Sequence, residues 1–327
     1  MTTPTRWAIL GTGRIAAIFA EGLKALEDAQ LVAAGSRTQE KADAFADRFD
    51  IPRRHASYQA LAADPDVDVV YIATPHSMHK ENTILCLKAN KAVLCEKPFA
   101  INAIEARAAI DVARATDLFL MEAMWTRFLP AMVQVRQWID AGAIGAPRMV
   151  TADFGFRSAV NPESRLFNPA LGGGALLDVG VYTISLAAMV LGSQPARITG
   201  LAHLGETGVD EQAGMVLAYP EGQLAVLSTS VRASTPGEAR IVGEEGTILI
   251  DPPFFRATRT HLRAGNTEES ADFPFEGNGY NYQAAEVGRC LRNGKLESEI
   301  MPLEETIALM QIMDELRTQW GLKYPME

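Results

Sequence analysis

Three residues of this 327-residue chain have side chains and surroundings suited to moving a proton. Asp178 and Tyr182 lie four positions apart in the apolar stretch 175–191, so a helix would place both on one face. A polar pair in such a helix needs partners, which gives it either a structural hydrogen-bonding role or a catalytic one. The third residue, Lys97, follows the apolar run 92–95, a predicted strand whose carboxyl end is a ligand-binding edge of an open sheet.

The chemistry that this set could carry is proton transfer, which the oxidation of an alcohol requires because a proton leaves oxygen as hydride leaves carbon. A free tyrosine has a pKa of about 10 and is a weak base at neutral pH. The Lys97 ammonium would favour the phenolate and so lower the pKa of Tyr182. Tyr182 would then accept the proton, or donate it in carbonyl reduction, while Asp178 would orient a substrate hydroxyl or Lys97. The structural alternatives are a surface lysine and a core tyrosine with a satisfied hydroxyl.

A glycine-rich loop near the start of the chain predicts where a cofactor would bind. The pattern GxGxxA at 11–16 follows the predicted strand 7–10 and opens a predicted helix at 15–26. In such a loop the first glycine permits a tight turn, the second lets the backbone approach a pyrophosphate, and the helix N-terminus attracts the negative charge. The residues expected to contact the cofactor here are Gly11, Thr12, Gly13, Arg14 and Ile15.

The end of the second predicted strand, 31–35, indicates which cofactor is preferred. An acidic residue about twenty positions beyond the glycine loop would bind the ribose 2′-hydroxyl of NAD. Ser36 and Arg37 stand there instead, and Lys41 lies one turn into the next predicted helix. A hydroxyl, a guanidinium and an ammonium suit a 2′-phosphate, so we expect NADP. Arg37 as a surface residue, or stacked on adenine with NAD bound, is the alternative.

Residues that follow two predicted strands at the same edge complete the expected cofactor site. They are Thr74, Pro75, His76 and His79 after the run 67–73, and Glu96 and Lys97 after the run 92–95. A purely structural role is the alternative for His79. The Lys97–Pro98 peptide bond is predicted to be cis, since that conformation costs only about 0.5–1 kcal/mol before proline.

A substrate pocket is expected from aromatic residues and a long loop in the second part of the chain. The loop 157–171 contains prolines, and loops of this length are often functional. Aromatic residues in predicted strands are usually part of the core, which is the alternative for some of this set. The candidate substrate residues are Trp125, Phe154, Phe156, Arg157, Arg165 and Phe167.

The alternation of short apolar strands with helices over residues 1–124 predicts an α/β fold, an N-terminal Rossmann domain with a doubly wound parallel sheet. Uniformly apolar strands fit a sheet covered on both faces. Residues 125–327 predict a C-terminal α+β domain with a large open-faced, mostly antiparallel sheet, in which 215–219 and 224–229 form a hairpin. The helix predicted at about 303–320 is a candidate to pack back on the first domain.

Charge and composition exclude several classes of protein. The chain has 30 basic and 40 acidic residues, a net charge of −10, and its length suggests about two domains. The net charge is −2 over residues 1–124 and −8 over 125–327, so neither part has the positive field of a nonspecific nucleic-acid binder. The apolar runs are interrupted before the roughly 20 residues of a membrane span, so no membrane partner is expected.

The cysteines and the first residues bear on the compartment. Cys86, Cys95 and Cys290 show neither a paired framework nor metal-ligand spacing, so no metal is expected. The first ten residues, MTTPTRWAIL, lack the basic and then apolar pattern of a signal peptide. These features predict a cytoplasmic protein.

Three motifs, in order, resemble those of the Gfo/Idh/MocA oxidoreductase family: GTGRIA at 11–16, CEKPFA at 95–100 and GGGALLDVGVY at 172–182. The stretch MEAMWTRF at 121–128 is similar to the branch of dimeric dihydrodiol dehydrogenases and NADP-dependent D-xylose 1-dehydrogenases. The resemblance covers essentially the whole chain. It implies hydride transfer between NAD(P) and a carbon of a sugar or diol. Lys97 and Asp178 match the family's lysine and aspartate, and Tyr182 matches the tyrosine of this branch.

The strands predicted between 197 and 273 have too few helices after them to cover both faces of their sheet. A homodimer formed through this sheet would bury the open face, as the resemblance also suggests, and a solvated face is the alternative. Two other functions remain open. One is another reaction of the family, such as oxidation of inositol or another sugar, carbonyl reduction or redox-assisted glycoside cleavage. The other is a non-catalytic nucleotide-sensing protein on the same fold.

Overall fold

The computed structural model describes residues 4–327, and their contacts divide the chain into two compact units. The first unit contains the chain up to Ala100, Ile104–Trp125 and Phe275–Thr306. The second unit contains Ile101–Ala103, Thr126–Pro274 and Ile307–Glu327. The chain therefore returns to the first unit after residue 274, a crossing that a single boundary at 124/125 does not include.

The first unit is built on a parallel sheet of six strands in the order β3-β2-β1-β4-β5-β6. This is the order of a doubly wound dinucleotide-binding fold, so the prediction for the first domain is confirmed. All residues of β4, β5 and β6 are buried, as expected for strands with both faces covered. The strands are β1 Thr5–Leu10, β2 Ala29–Gly35, β3 Arg53–His55, β4 Val69–Ile72, β5 Ala92–Glu96 and β6 Leu120–Ala123.

The helices begin where local capping signals stand in the sequence. Thr38 and Ser57 accept hydrogen bonds from backbone N–H groups at the starts of α2 and α3, and Pro130 opens α6. The helices are α1 Arg14–Leu23, α2 Gln39–Phe49, α3 Tyr58–Ala62, α4 His79–Lys88, α5 Ala103–Thr116, α6 Pro130–Asp140, α7 Val181–Leu191, α8 Tyr280–Arg292 and α9 Leu303–Trp320.

The second unit contains an eight-stranded sheet in the order β14-β13-β12-β11-β7-β10-β9-β8. β7 and β10 pair in parallel and the other neighbours pair antiparallel, so the expected mostly antiparallel sheet is confirmed. The predicted hairpin is β9 and β10, with Met215 opposite Leu227. The strands are β7 Pro147–Gly155, β8 Arg197–Leu204, β9 Asp210–Ala218, β10 Leu224–Ser230, β11 Ala239–Gly243, β12 Gly246–Ile250, β13 Arg259–Ala264 and β14 Thr267–Asp272.

The two faces of this sheet differ in exposure. Val150, Met215 and Leu227 are buried on the face that contacts α7. Met149 and Val226 lie on the opposite face, with relative exposures of 38% and 44%. Period-two alternation therefore places one set of side chains in the core and the other on an open face, as the strand pattern predicts.

One apolar stretch of the second unit is longer than the sequence analysis expected. Pro169–Leu191 spans 23 residues and contains an 18-residue window with a mean hydropathy of 1.8, so length and composition alone would permit it to cross a membrane. Its most apolar window is 83% buried within the structure. Such burial is typical of a core helix, and α7 contacts the sheet strands β7 and β10.

Candidate active site

The glycine loop after β1 has the geometry of a phosphate-binding turn. Gly11 has φ +101°, and a Cβ there would lie 2.8 Å from the carbonyl oxygen of Ala73, so this position requires glycine. A Cβ at Gly13 would meet nothing within 4 Å, so the space beside the start of α1 is open. Gly13 has no side chain to cap α1, which leaves the helix N-terminus available to a pyrophosphate. These residues fit a dinucleotide.

The carboxyl end of β2 presents the groups expected beside a ribose. The Ser36 hydroxyl is buried and lies 3.4 Å from the Thr12 hydroxyl of the glycine loop. Arg37 and Lys41 are exposed. Tyr58, at the start of α3, was missed by sequence reasoning: burial raises its pKa above the ordinary value, and the Arg37 charge opposes this shift. The Arg37 charge therefore lies near enough to the Tyr58 hydroxyl to act on it.

The loop that carries Lys97 is held by buried carboxylates. The Lys97–Pro98 peptide bond is cis, so this prediction is confirmed. Glu96 accepts a hydrogen bond from the Tyr71 hydroxyl and one of 3.2 Å from the Lys97 backbone N–H. Glu122, at the end of β6, accepts the Phe99 N–H at 3.1 Å. Its role was missed, because only strand pairing brings residue 122 to the loop after β5.

His79 joins the loops after β4 and β5. It is completely buried, and its two ring nitrogens lie 2.8 Å from the Pro98 carbonyl oxygen and 2.9 Å from the Thr74 carbonyl oxygen. Burial lowers the pKa of His79 below its ordinary value, and the two carbonyl contacts oppose this. His76, also buried, lies edge-on to His79 with ring centroids 5.7 Å apart. Both histidines are therefore part of the packed edge of the sheet.

The glycine-rich segment in the second unit leads into a π-helix, Leu176–Gly180, which continues as α7. The sequence analysis expected one regular helix over 175–191, and the difference is a widened turn that contains Asp178. π-Turns inside helices occur frequently at functional sites. Asp178 is buried, and its carboxylate pairs with Arg165 of the preceding loop, with Oδ1 2.6 Å from Nη1. Two of the predicted site residues are thus brought together.

Tyr182 lies in the first turn of α7 against a group of aromatic side chains. Its ring centroid is 5.4 Å from that of Phe154 and 5.9 Å from that of Phe255, and Tyr182 is 7% exposed. Phe154 and Phe255 stack with centroids 3.8 Å apart. Phe255 was missed, because it follows two prolines in a segment without periodicity. We call Phe154, Phe255 and Tyr182 the aromatic group.

The remaining substrate candidates lie in different surroundings. Phe156 packs next to Phe154, with centroids 6.5 Å apart, and Arg157 is exposed. Phe167 is completely buried. Trp125 belongs to the first unit, where its ring stacks on Tyr280 at a centroid distance of 4.3 Å. Tyr280, at the start of α8, was also missed by sequence reasoning.

The parallel sheet, its glycine loop and the polar residues at its carboxyl edge define a dinucleotide-binding protein. Two family models match the chain: the oxidoreductase family with an NAD-binding Rossmann fold over residues 5–124, and the GFO/IDH/MocA C-terminal domain over residues 132–249. The chain is 38% identical over 332 residues to trans-1,2-dihydrobenzene-1,2-diol dehydrogenase from Xenopus laevis, covering 98% of this chain and 99% of the relative.

Two solved structures are similar to the chain over nearly its whole length. One is a 3-ketoreductase from Actinomadura kijaniata in complex with NADP and TDP-benzene, with a TM-score of 0.86 and 25% identity, covering 97% of this chain and 98% of that one. The other is aldose-aldose oxidoreductase from Caulobacter crescentus complexed with glycerol, with a TM-score of 0.87 and 25% identity, covering 95% and 96%. The chain belongs to the Gfo/Idh/MocA oxidoreductase family, and it is an NAD(P)-dependent dehydrogenase or reductase.

Proposed function

We propose that this enzyme transfers hydride between NADP and a cyclic trans-dihydrodiol. The observation that carries the proposal is the aromatic group, in which the hydroxyl-bearing ring of Tyr182 packs beside two phenylalanines. Such a wall suits an unsaturated ring that carries two hydroxyls better than a fully hydroxylated sugar. The relative from Xenopus laevis, 38% identical over nearly the whole chain, is named for this class of substrate.

The preference for NADP over NAD is supported by the basic end of the cofactor site. NADP differs from NAD by a 2′-phosphate on the adenosine ribose, and bound nicotinamide supplies hydride donation or acceptance. Ser36, Arg37 and Lys41 stand at the end of β2 in place of the acidic residue that binds the ribose of NAD. The similar 3-ketoreductase structure contains NADP.

In the proposed mechanism, Tyr182 accepts the proton from the substrate hydroxyl, or donates it in the reverse direction. The Lys97 ammonium favours the phenolate of Tyr182. Asp178 orients a substrate hydroxyl, and its ion pair with Arg165 holds the carboxylate in one direction.

A second candidate substrate is an aldose such as D-xylose. The observation that favours it is the polar pair of Asp178 and Arg165, which could bind the extra hydroxyls of a sugar. The similar Caulobacter crescentus enzyme is named for aldoses. A substrate panel separates the two candidates: turnover of trans-dihydrobenzenediols and of aldoses is measured with NADP⁺ and with NAD⁺.

The variant Phe255→Leu makes this comparison specific. It shortens one wall of the aromatic group and leaves the Asp178–Arg165 pair unchanged. We expect KM for a dihydrobenzenediol to rise about tenfold while KM for D-xylose changes less than twofold, since one lost apolar contact is worth about 1–3 kcal/mol. Equal changes for both substrates would contradict the role of the aromatic group.

The variant Tyr182→Phe tests the proton transfer itself. It removes one hydroxyl and keeps the ring, so packing against Phe154 and Phe255 should survive. We expect kcat to fall by roughly 10²–10⁴-fold, the usual contribution of general acid–base catalysis. The NADP dissociation constant, measured by NADPH fluorescence, should not change. Turnover within a few-fold of the wild type, with the same pH dependence, would show that the proton goes elsewhere.

We further propose a cytoplasmic homodimer that associates through the open face of the second unit's sheet. The exposed aliphatic residues Met149 and Val226 on this face support the association. The three cysteines are buried and unpaired, which suits a reducing compartment.

A further inference from the structure

The turn that precedes the Tyr182 helix is built from three consecutive glycines. Gly172 and Gly174 have φ of +73° and +119°, in a region of backbone conformation that residues with a side chain rarely adopt. A Cβ at Gly173 would lie 2.8 Å from the Leu166 carbonyl oxygen. The Gly174 N–H donates to the same oxygen at 2.9 Å. The direction in which the π-helix and α7 start is therefore decided by this turn and by the groups that hold it.

Asp210, the first residue of β9, holds the turn from one side. It is completely buried, and its Oδ2 accepts the Leu176 N–H at 2.6 Å. Its Oδ1 occupies the space that a side chain at position 174 would need, since a Cβ on Gly174 would lie 2.1 Å from it. The carboxylate thus satisfies one of the free N–H groups at the helix start.

Tyr324 holds the turn from the other side. It is 1% exposed, and its hydroxyl donates to the Gly173 carbonyl oxygen at 2.6 Å. Its own backbone N–H donates to Glu327 at 2.9 Å. Glu327 pairs with the buried Arg317 at 2.7 Å, and the Arg317 guanidinium lies over the Tyr324 ring, 5.0 Å from its centroid. The phenol is therefore fixed by the end of α9, far along the chain from the turn.

We propose that Tyr324 is a positioning residue for Tyr182: its hydroxyl, opposite Asp210, fixes the glycine turn from which the Tyr182 helix starts. This inference rests on the proposed role of Tyr182. Tyr324 acts through the backbone, since its bond is to the Gly173 carbonyl group nine residues before Tyr182. Loss of this bond leaves the buried carbonyl without its donor and frees the turn to shift. A displacement of about 1 Å at a reacting group can cost about 10²-fold in rate.

The test is Tyr324→Phe, with Tyr219→Phe as the matched control. Tyr219 is a buried tyrosine in the hairpin turn at the opposite end of β9 from Asp210. We expect Tyr324→Phe to lower kcat by roughly 10- to 100-fold with an unchanged NADP dissociation constant. Tyr219→Phe should stay within twofold. If Tyr324→Phe does not fold, Glu327→Gln weakens the same support with the phenol retained, and a smaller fall in kcat is expected.

A double-mutant cycle separates positioning from general loss of structure. In the Tyr182→Phe background, Tyr324→Phe should reduce the residual rate by less than twofold, because the group that it positions is absent. An equal loss in both backgrounds, or no difference from Tyr219→Phe, would overturn the inference. A Tyr182→Phe enzyme with wild-type turnover would instead refute the proposed function, so the two failures are distinguishable.

Discussion

Arg37 is the residue that we expect to separate the two cofactors most directly. It is exposed at the end of β2, next to the buried Ser36 and beside Tyr58. A guanidinium binds phosphate through two parallel N–H bonds, which NAD cannot use because it has no 2′-phosphate. We therefore expect cofactor preference to depend on a few side chains at the end of β2.

We expect Arg37→Ala to weaken NADP binding by about 10- to 100-fold and to change NAD binding by less than threefold, because a charge-assisted hydrogen bond is worth about 1.5–3 kcal/mol. Fluorescence titration with both reduced cofactors measures the two effects. Arg48→Ala, which removes an arginine from the last turn of α2, is the control. Equal losses of binding affinity for NADP and NAD would contradict the proposed contact of Arg37 with the 2′-phosphate.

Asp210 should make stability depend on pH in an unusual direction. Burial raises the pKa of Asp210 to about 7 in the folded protein, against about 3.9 when unfolded. Between these values the folded state holds the extra proton, so stability falls as the pH rises from about 4 to 7, by up to about 1.4 kcal/mol per pH unit.

The variant Asp210→Asn removes this titration. Urea unfolding at pH 5 and pH 8 should show that the wild type loses more stability than the variant over this interval. Glu327 should make stability depend on pH in the opposite direction to Asp210. Arg317 lowers the pKa of Glu327 to about 2 against the effect of burial, so its contribution is lost only as the pH falls below about 4. If wild type and Asp210→Asn lost the same stability between pH 5 and pH 8, the raised pKa of Asp210 would be contradicted.

At the scale of elements, the helix that carries Tyr182 is held by hydrogen bonds along its length as well as at its start. The Arg127 guanidinium, buried, donates to the Ser185 hydroxyl at 2.9 Å and to the Ser185 carbonyl oxygen at 2.7 Å. The Thr229 hydroxyl of β10 donates to the Ala175 carbonyl oxygen at 3.4 Å. These bonds tie an almost wholly apolar helix to one orientation, which packing of similar aliphatic side chains would specify less well.

The glycine turn gives a direct prediction at this scale. Gly174→Ala should lower the free energy of unfolding by about 3 kcal/mol, because it combines a φ of +119° with a Cβ in the space of Asp210. Gly142→Ala, with φ +70° and nothing within 4 Å, isolates the backbone cost and should lose about 1 kcal/mol. Urea unfolding compares the two. A loss for Gly174→Ala no larger than for Gly142→Ala would show that the turn relaxes around the added methyl group.

At the scale of the whole molecule, the open face of the large sheet exposes aliphatic side chains, among them Met149 and Val226. Val226 lies near the middle of the sheet, between Thr151 of β7 and Val216 of β9. β8 forms one edge of this sheet, and its backbone is partly covered by α9. The side chains of Gln319 and Trp320 donate hydrogen bonds to the backbone carbonyl groups of Ile198 and Gly200. Association through the face, rather than through this edge, is therefore expected.

Light scattering at micromolar concentration should give twice the mass of the chain for the wild type. Val226→Glu should shift the protein toward the monomer, since it places charges in the proposed interface. Ile104→Glu changes an equally aliphatic residue, 81% exposed in the first unit, and should leave the mass unchanged. A wild-type monomer would refute the dimer.

Much of the fold was predictable because its signals are local. The glycine loop, the alternation of apolar strands with helices and the hairpin of β9 and β10 each depend on residues that are close in the sequence. The Gfo/Idh/MocA resemblance, carried by short motifs, is confirmed by the family models and by relatives at 38% identity. β3 was missed, since its three residues, Arg53–His55, are too polar to show a strand pattern.

What only the tertiary structure decided is which distant residues meet. Phe255 reaches Tyr182, Glu122 reaches the loop of Lys97, and Tyr324 reaches Gly173, 151 positions earlier in the chain. No periodicity or spacing encodes such pairs, because they arise from strand order and from the path of α9. The local chain thus specifies which segments carry chemistry, while long-range packing selects the side chains that hold those segments in place.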